Sequence, residues 1–407
     1  MRGTEGRGVF ERRRGWRYLT LGALVVAVMA LAACGGSDKS DGDSGGSAAS
    51  GSTNADASAT NASSGGVTQA AAAVKAAEAV PSFTPPGPPI DASKAKGKTV
   101  LYLSLDNSIP LQQTISKALG NAGKEVGVKV LVCDGKGNPA DQNRCMQQAI
   151  SQKVDVIVIE SVSSSLLAAP IKQAAAKGIK VISSTERDEG VPPQGAGIAA
   201  TTSFKYKEAA VQMAQWAIAD SKGKANVLAV QAPDVPNGQD MRTGMEQTFK
   251  QECPDCKLTF VQNRVSDWAS QMGTLVRTQL TKNHDIDYVL PFYDAMAQFV
   301  APAIRQAGAA SRVKVASFNA TPAVMQQVKD ADIVQADVGS SGDWLGWGEM
   351  DQSLRLMVGA KPVQATGVPL RIFDQDNIGD IDLSAPEISW YGGDAFEQGY
   401  RKLWGLN

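Results

Sequence analysis

From Lys98 onward the chain alternates β-branched apolar runs of five to eight residues with helical stretches of twelve to eighteen. Strands are expected at Thr99–Leu105, Val128–Cys133, Val154–Ile159, Ile179–Ser183, Gly197–Thr201, Asn226–Val230, Leu258–Val261, Tyr288–Pro291, Val313–Phe318 and Ile333–Val338. Between them the pattern predicts helices at Leu111–Val126, Gln142–Gln152, Leu166–Lys177, Tyr206–Ser221, Asp240–Gln251, Trp268–Lys282, Ala295–Ala307, Pro322–Lys329 and Trp344–Val358. "GVKVLV", "VDVIVI", "GIKVIS" and "SRVKVASF" each place a strand that is apolar on both faces after a turn residue. Strands of that kind belong to parallel sheets covered by helices on both sides. The roughly 310 residues from Lys98 are too many for one such sheet. A break near Ser203–Lys207 yields two doubly wound α/β lobes, 98–203 with about 341–362 and 204–340 with about 363–407. Ligands in such sheets sit off the carboxyl ends of the strands, so two facing lobes would enclose a cleft.

The residues before Lys98 carry a different pattern. Arg2, Arg7, Arg12, Arg13, Arg14 and Arg17 precede an apolar run, Tyr18–Ala33, of 16 residues. That run falls short of the ~20 residues a membrane-spanning helix needs. A basic start, a short apolar middle and small residues at its end are those of an export signal, here 1–33. Leu31-Ala32-Ala33-Cys34-Gly35 resembles the bacterial lipobox, which implies cleavage before Cys34 and lipid on that cysteine. Arg13-Arg14-Gly15-Trp16 leaves the choice between general and twin-arginine export open. Gly35–Gly66 is mostly Gly, Ser, Ala, Asp, Asn and Thr with nothing more apolar than Ala, a composition expected to stay disordered. A short Ala-rich helix and then Pro81, Pro85, Pro86, Pro88 and Pro89 complete an expected tether, 34–97.

Removing 1–33 takes away six Arg and two Glu, leaving 34 basic against 39 acidic residues, a net charge of −5. No Lys/Arg-rich stripe follows, so nucleic acid is not an expected partner. With Cys34 assigned to lipid, four cysteines remain. Outside the cytoplasm these are expected to pair, and sequence proximity favours Cys133 with Cys145 and Cys253 with Cys256 over the other two connectivities. The alternatives for Cys253-Pro254-Asp255-Cys256, a redox or a zinc site, lack respectively a strand-to-helix setting and further ligands, since His284 is the only histidine. That single histidine also argues against Ser–His–Asp or Cys–His catalysis. Gly135-Lys136-Gly137-Asn138 is too short for a phosphate loop. Of the enzyme classes only glycoside hydrolysis, by carboxylates such as Asp106, Glu160 or Glu186, stays open. No enzyme activity, metal or cofactor is expected.

"VLYLSLDNSIPLQQTISKAL", "GVKVLVCDGKGNPADQNRCMQQAISQKVDVIVI", "IKQAAAKGIKVIS", "FVAPAIRQAG" and "VKVASFNATPAVMQQVKD" occur in an order and spacing that resemble the type I periplasmic binding proteins, in particular the ribose-binding group, over Lys98–Pro362. The resemblance implies two lobes that close on a solute and present it to a membrane permease. It places Asp106 and Asn107 at the first strand end, Glu186 and Arg187 beyond the fourth, and Gln239, Tyr293, Asp294 and Asn319 in the second lobe. Departures are concentrated at the sugar-contacting positions. Thr185-Glu186 stands where the family has Asp-Arg, and Phe318-Asn319-Ala320 where it has Phe-Asp-Gly.

The strand ends alone put Asp106, Asn107, Glu160, Thr185, Glu186, Arg187 and Thr202 on one side of the cleft. Gln231, Asn237, Asp267, Trp268, Tyr293, Asp294, Asn319 and Ser341 lie on the other. Such neutral polar groups and carboxylates suit a hydroxyl-rich solute, with Trp268 and Tyr293 as the flat apolar wall. Asp267 is equally readable as a helix cap, and Trp344 and Trp347, three apart, as core. Trp390-Tyr391-Gly392-Gly393 suggests no role. The expectation is a monomeric, lipid-anchored solute-binding component of an ABC importer for a small polar, carbohydrate-like solute. A receptor reporting the same ligand to a membrane kinase is the alternative.

Overall fold

The computed structural model describes residues 54–406; the expected signal peptide, Cys34 and the first part of the tether lie outside these. Helix α1 (Asn54–Ala77) comes first and packs against a helix pair of the second lobe. The first lobe follows. Its sheet joins β1 (Thr99–Ser104), β2 (Lys129–Asp134), β3 (Val156–Glu160), β4 (Lys180–Ser184) and β5 (Ile198–Thr202) in the order β2-β1-β3-β4-β5, every pair parallel. Side chains alternate across it, as the pleat requires. Val100 and Tyr102 belong to the core under α2 (Pro110–Glu125), while Leu101 and Leu103 join Met146 and Ile150 of α3 (Pro139–Gln152) and Ile171 of α4 (Ala168–Ala176). Pro110 and Pro139 occupy first helical positions, and Asn138 Oδ1 accepts from the Asp141 amide at 3.0 Å, so α3 starts three residues before its apolar face does.

The second sheet has the order β11-β10-β9-β8-β6-β7. It consists of β6 (Asn226–Gln231), β7 (Lys257–Gln262), β8 (Tyr288–Pro291), β9 (Lys314–Asn319), β10 (Val334–Ser340) and β11 (Leu370–Asp374), parallel except for β10 with β11. Around it lie α5 (Tyr206–Asp220), α6 (Gly238–Glu252), α7 (Trp268–Lys282), α8 (Asp294–Gln306) and α9 (Pro322–Lys329). Both sheets reverse direction of winding once, between β1 and β3 and between β6 and β8. The fold is therefore the expected pair of doubly wound α/β lobes. Both expected disulfides are present: Cys133–Cys145 joins β2 to α3, and Cys253–Cys256 closes the turn from α6 to β7.

Two parts of the chain differ from expectation. The helix expected in the Ala-rich stretch Val67–Val80 starts earlier, at Asn54, and its Ala70 and Val74 are buried. Small Ala and Gly positions that cannot build a core of their own can still fit against an existing one. Edge strand β11, missed in the alternation, is antiparallel and lies after the last crossover. There Trp390-Tyr391 acquires a role. The Trp390 carbonyl accepts from Arg371 of β11, and the Tyr391 hydroxyl lies where a side chain on Gly339 of β10 would stand.

The chain passes between the sheets from β5 to α5, from β10 to α10 (Gly342–Val358), and from α10 to β11. Helix α10 is buried nearly all round, polar residues included. Asp351 and Arg355 form an ion pair at 2.7 Å, each at most 1% exposed. Gln352 donates to the carbonyls of Thr201 and Val363 and so ties two of the crossings together. Trp344 and Trp347 are core, as one of their two readings had it. Trp347 stacks on Trp404 at 5.2 Å and Trp344 on Phe396 of α11 (Ala395–Leu403) at 4.9 Å. Trp404 Nε1 also donates to Asp351 at 2.9 Å. Trp404→Ala should therefore cost about 3–5 kcal/mol of stability, read from urea unfolding, because it removes a buried ring and leaves one Asp351 oxygen unpaired.

Candidate functional site

The carboxyl ends of both sheets point toward one another, and backbone strain gathers there. Ser161 after β3, Thr185 after β4, Asn319 at the end of β9 and Ala320 just after it all have positive φ, at 58°, 54°, 135° and 52°. Non-glycine residues hold such angles only where their surroundings enforce them.

In the first lobe the enforcement is a buried polar chain. Ser104 donates to Gln112 at 3.0 Å, and Gln112 Nε2 donates to Ser161 Oγ at 3.2 Å. Ser161 and Thr185 hydroxyls are 2.7 Å apart, and Thr185 donates to Glu160 at 2.7 Å. Facing Glu160 is Glu349 of α10, which accepts from Ser184 at 2.6 Å. Two carboxyls in so dry a place cannot both ionise. Burial, and then the charge of Glu160, push Glu349 well above the usual carboxylate range. Burial and the facing Glu160 thus favour the protonated form of Glu349.

The second lobe repeats the device with different residues. Asp294 accepts from Ser317 Oγ at 2.7 Å and from both the amide and the hydroxyl of Thr321, at 2.6 and 2.7 Å. Asp337 accepts from the Ala320 amide at 2.9 Å. Burial and the nearby Asp294 raise Asp337 well above its ordinary value. The pair clamps the strained Asn319-Ala320 turn.

The lobes touch at two places near these ends. Asn237, at the start of α6, donates to the Thr185 carbonyl at 2.5 Å and accepts from Tyr293 Oη at 2.5 Å. The Arg187 guanidinium meets both oxygens of Asp240 at 2.9 Å, and the Asp188 amide adds a third bond at 3.0 Å. Trp268 lies beside Tyr293, ring centres 6.5 Å apart, with Nε1 donating to the Asn263 carbonyl.

The residues singled out from sequence thus separate by position. Thr185, Arg187, Asn237 and Tyr293 meet where the lobes touch, with Trp268 against Tyr293. Asn319 is buried at the end of β9. Asp106 accepts from the Ser108 amide and shapes the turn after β1, beside Asn107. Glu186 is held inside the first lobe by Ser183, Ser163 and Ser164. Gln239 is exposed and turned to Thr243 within α6. Asp267 stands at the start of α7 without a side-chain capping bond, and Ser341 caps α10. Glu349, Asp337 and Asp240 escaped notice. Glu349 was the most findable, being an acid inside the otherwise apolar "WLGWGEM".

Several buried atoms at these strand ends have no hydrogen-bond partner within the protein. They include Asn107 Oδ1, Glu160 Oε2 and Thr202 Oγ1 in the first lobe and Gln231 Oε1 and Asn263 Oδ1 in the second.

The acid pairs make stability depend on pH in a defined sense. Glu349 releases its proton at higher pH in the native protein than in the unfolded chain, so its contribution falls as pH rises from the ordinary glutamate range toward the native value. Glu349→Gln keeps the donor and removes the titration. Urea midpoints of the two proteins should be nearest at about pH 5 and separate in favour of Glu349→Gln toward about pH 8, by up to ~1.4 kcal/mol per unit. A constant offset would show that Glu349 ionises normally.

No curated relative matches the chain in sequence. Among solved structures, a 5-methylthioribose transporter solute-binding protein from Thermotoga lettingae, in complex with 5-methylthioribose, superposes with a TM-score of 0.67 at 17% identity, covering 78% of this chain and 100% of that one. A sugar ABC transporter protein from Yersinia enterocolitica gives 0.65 at 19%, covering 78% and 98%. The Caulobacter myo-inositol binding protein, bound to myo-inositol, gives 0.62 at 21%, covering 70% and 95%. These likenesses show a shared fold. The model of the periplasmic binding protein domain matches residues 100–361, well over half the chain and all the elements that build the facing strand ends. The chain belongs to the periplasmic binding protein family, and its two lobes are those of the type I fold.

Proposed function

We propose that this protein is the lipid-anchored, extracytoplasmic solute-binding component of an ABC importer. It takes a sugar, polyol or similar hydroxylated solute between its lobes and hands it to permease subunits. The observation that carries the reading is the set of buried acceptors without partners, Gln231 Oε1 and Asn263 Oδ1 in the second lobe and Asn107 Oδ1 in the first. An unmade bond at a buried polar atom costs ~1–3 kcal/mol, which a hydroxyl donor from a ligand recovers. Sugars and polyols bring several such donors on a small frame. Trp268 and Tyr293 supply the flat apolar surface their C–H edges need. Support of another kind comes from the names of the structural neighbours, which include proteins bound to 5-methylthioribose and myo-inositol.

In this reading Asn237 and Arg187 act in closure. Thr185–Asn237 and Arg187–Asp240 join one lobe to the other, so opening breaks them and the closed form is the one that docks on the permease. The lipid on Cys34 keeps the body at the outer face of the membrane.

Calorimetric titration with pentoses, hexoses, polyols and inositols should find at least one ligand. Gln231→Met and Asn263→Leu should each weaken that ligand tenfold or more without lowering the unliganded unfolding midpoint. Absence of binding across the panel, or unchanged affinity in both variants, would overturn the hydroxylated-solute reading. Separately, Cys34→Ser should move the protein from the membrane fraction to the soluble one in a bacterial host. Retention on the membrane would refute the lipid anchor.

A further inference from the structure

Away from the cleft, the end of α1 approaches the turn after β11. Glu78 follows the last residue of the helix, and Asp374 and Asp376 flank Gln375 at the end of the strand. One carboxylate oxygen from each of the three can be chosen so that all lie within 4.8 Å of one another, an arrangement unique among the described residues. They open on a cavity of about 350 Å³ that Asp220, Gln335 and Trp216 also line.

A cluster of acids is common on protein surfaces, and most are solvated. This one is set apart by Glu78, whose side chain is 9% exposed. Its Oε2 accepts from Lys75 at 2.7 Å, while Oε1 is buried with no partner at all. A charged oxygen held out of water needs a counter-charge or a donor. Lys75 answers for only one of the three carboxylates, and its own side chain is 69% exposed and free to leave. Arg371 is committed elsewhere, donating to the main-chain carbonyls of Glu78 and Trp390. Asp220 is already matched by Lys314 at 2.7 Å.

We propose that Glu78, Asp374 and Asp376 form a divalent-cation site of the calcium class, fastening the end of α1 to the turn after β11. The donor set consists of hard oxygens, Gln335 lines the same cavity, and calcium accepts such mixed, irregular shells. Magnesium demands a stricter octahedron, and zinc would ask for nitrogen or sulfur. The consequence is mechanical. Glu78 lies on the segment that leads back toward Cys34, so a bound cation cross-links that segment to the second lobe and fixes where the chain leaves the body. Lys75 competes for the same charge and limits affinity to roughly the 10⁻⁴–10⁻³ M range of extracellular calcium modules.

Trp216 makes the site observable, because terbium bound in the cavity would be sensitised by its indole. The full chain, stripped with chelator, should show saturable terbium emission on excitation of tryptophan, displaced by calcium at millimolar concentration. Glu78→Gln and Asp376→Asn should each lower terbium affinity at least tenfold with circular dichroism unchanged. Lys75→Met should raise it several-fold, and calcium should raise the melting temperature of the wild-type protein. Trp216→Phe should lose the emission yet keep the calcium-dependent melting shift. Absence of saturable emission together with an unchanged melting temperature would overturn the proposal, as would emission that survives both carboxylate substitutions. None of these outcomes depends on which solute the cleft takes.

Discussion

Parallel strands cannot be joined by a hairpin. Every connection must cross the sheet, and the helix that makes the crossing covers one face. From that constraint the rest of this structure follows. Because every strand but edge strand β11 runs the same way as its neighbours, the carboxyl ends within each lobe emerge along one edge, and the loops that carry chemistry gather there. Two such edges face each other here. Strain at Ser161, Thr185, Asn319 and Ala320 gathers at these ends, because this is where an extended chain must turn abruptly toward a helix.

Each lobe sets a pair of buried acids beside its turns, Glu349 with Glu160 and Asp337 with Asp294, and burial raises Glu349 and Asp337 well above the usual carboxylate range. A neutral acid is both donor and acceptor in a small volume, which suits a crowded corner better than an ion does. The Glu160–Glu349 pair has a second effect, since Glu349 belongs to α10, a helix reached by crossing from the second lobe. The strand ends of the first lobe and the connection between lobes are therefore joined by one hydrogen-bonded unit. Movement of α10 relative to β3 and β4 would disturb Thr185, and Thr185 is where Asn237 makes contact from the other side.

Much of the fold was legible because periodicity is a local property. "VDVIVI" and "GIKVIS" are apolar on both faces wherever they occur, and the helices between them show their own repeat. The disulfides were legible for a similar reason, as cysteines three and twelve residues apart have few other partners. Parts of the site were harder. Thr185, Asn237 and Tyr293 could be placed at strand ends, but their mutual contacts could not. Asp240 gives no sign in "PNGQDMRTG" that it will meet Arg187, 53 residues earlier. Gln239 and Asn237 stand two apart at the same helix start, and only the helix's orientation turns one outward and buries the other.

The amino-acid sequence alone determined the alternation of strand and helix, the division into two predominantly parallel sheets and the pairing of the cysteines. These depend on neighbours within a few residues or on short repeats. The tertiary structure decided which acids keep their protons, which polar atoms are buried without partners, and that α1 and Glu78 settle on the second lobe. Those outcomes depend on desolvation and on contacts between segments far apart in the chain, and neither exists until the sheets have closed over their helices.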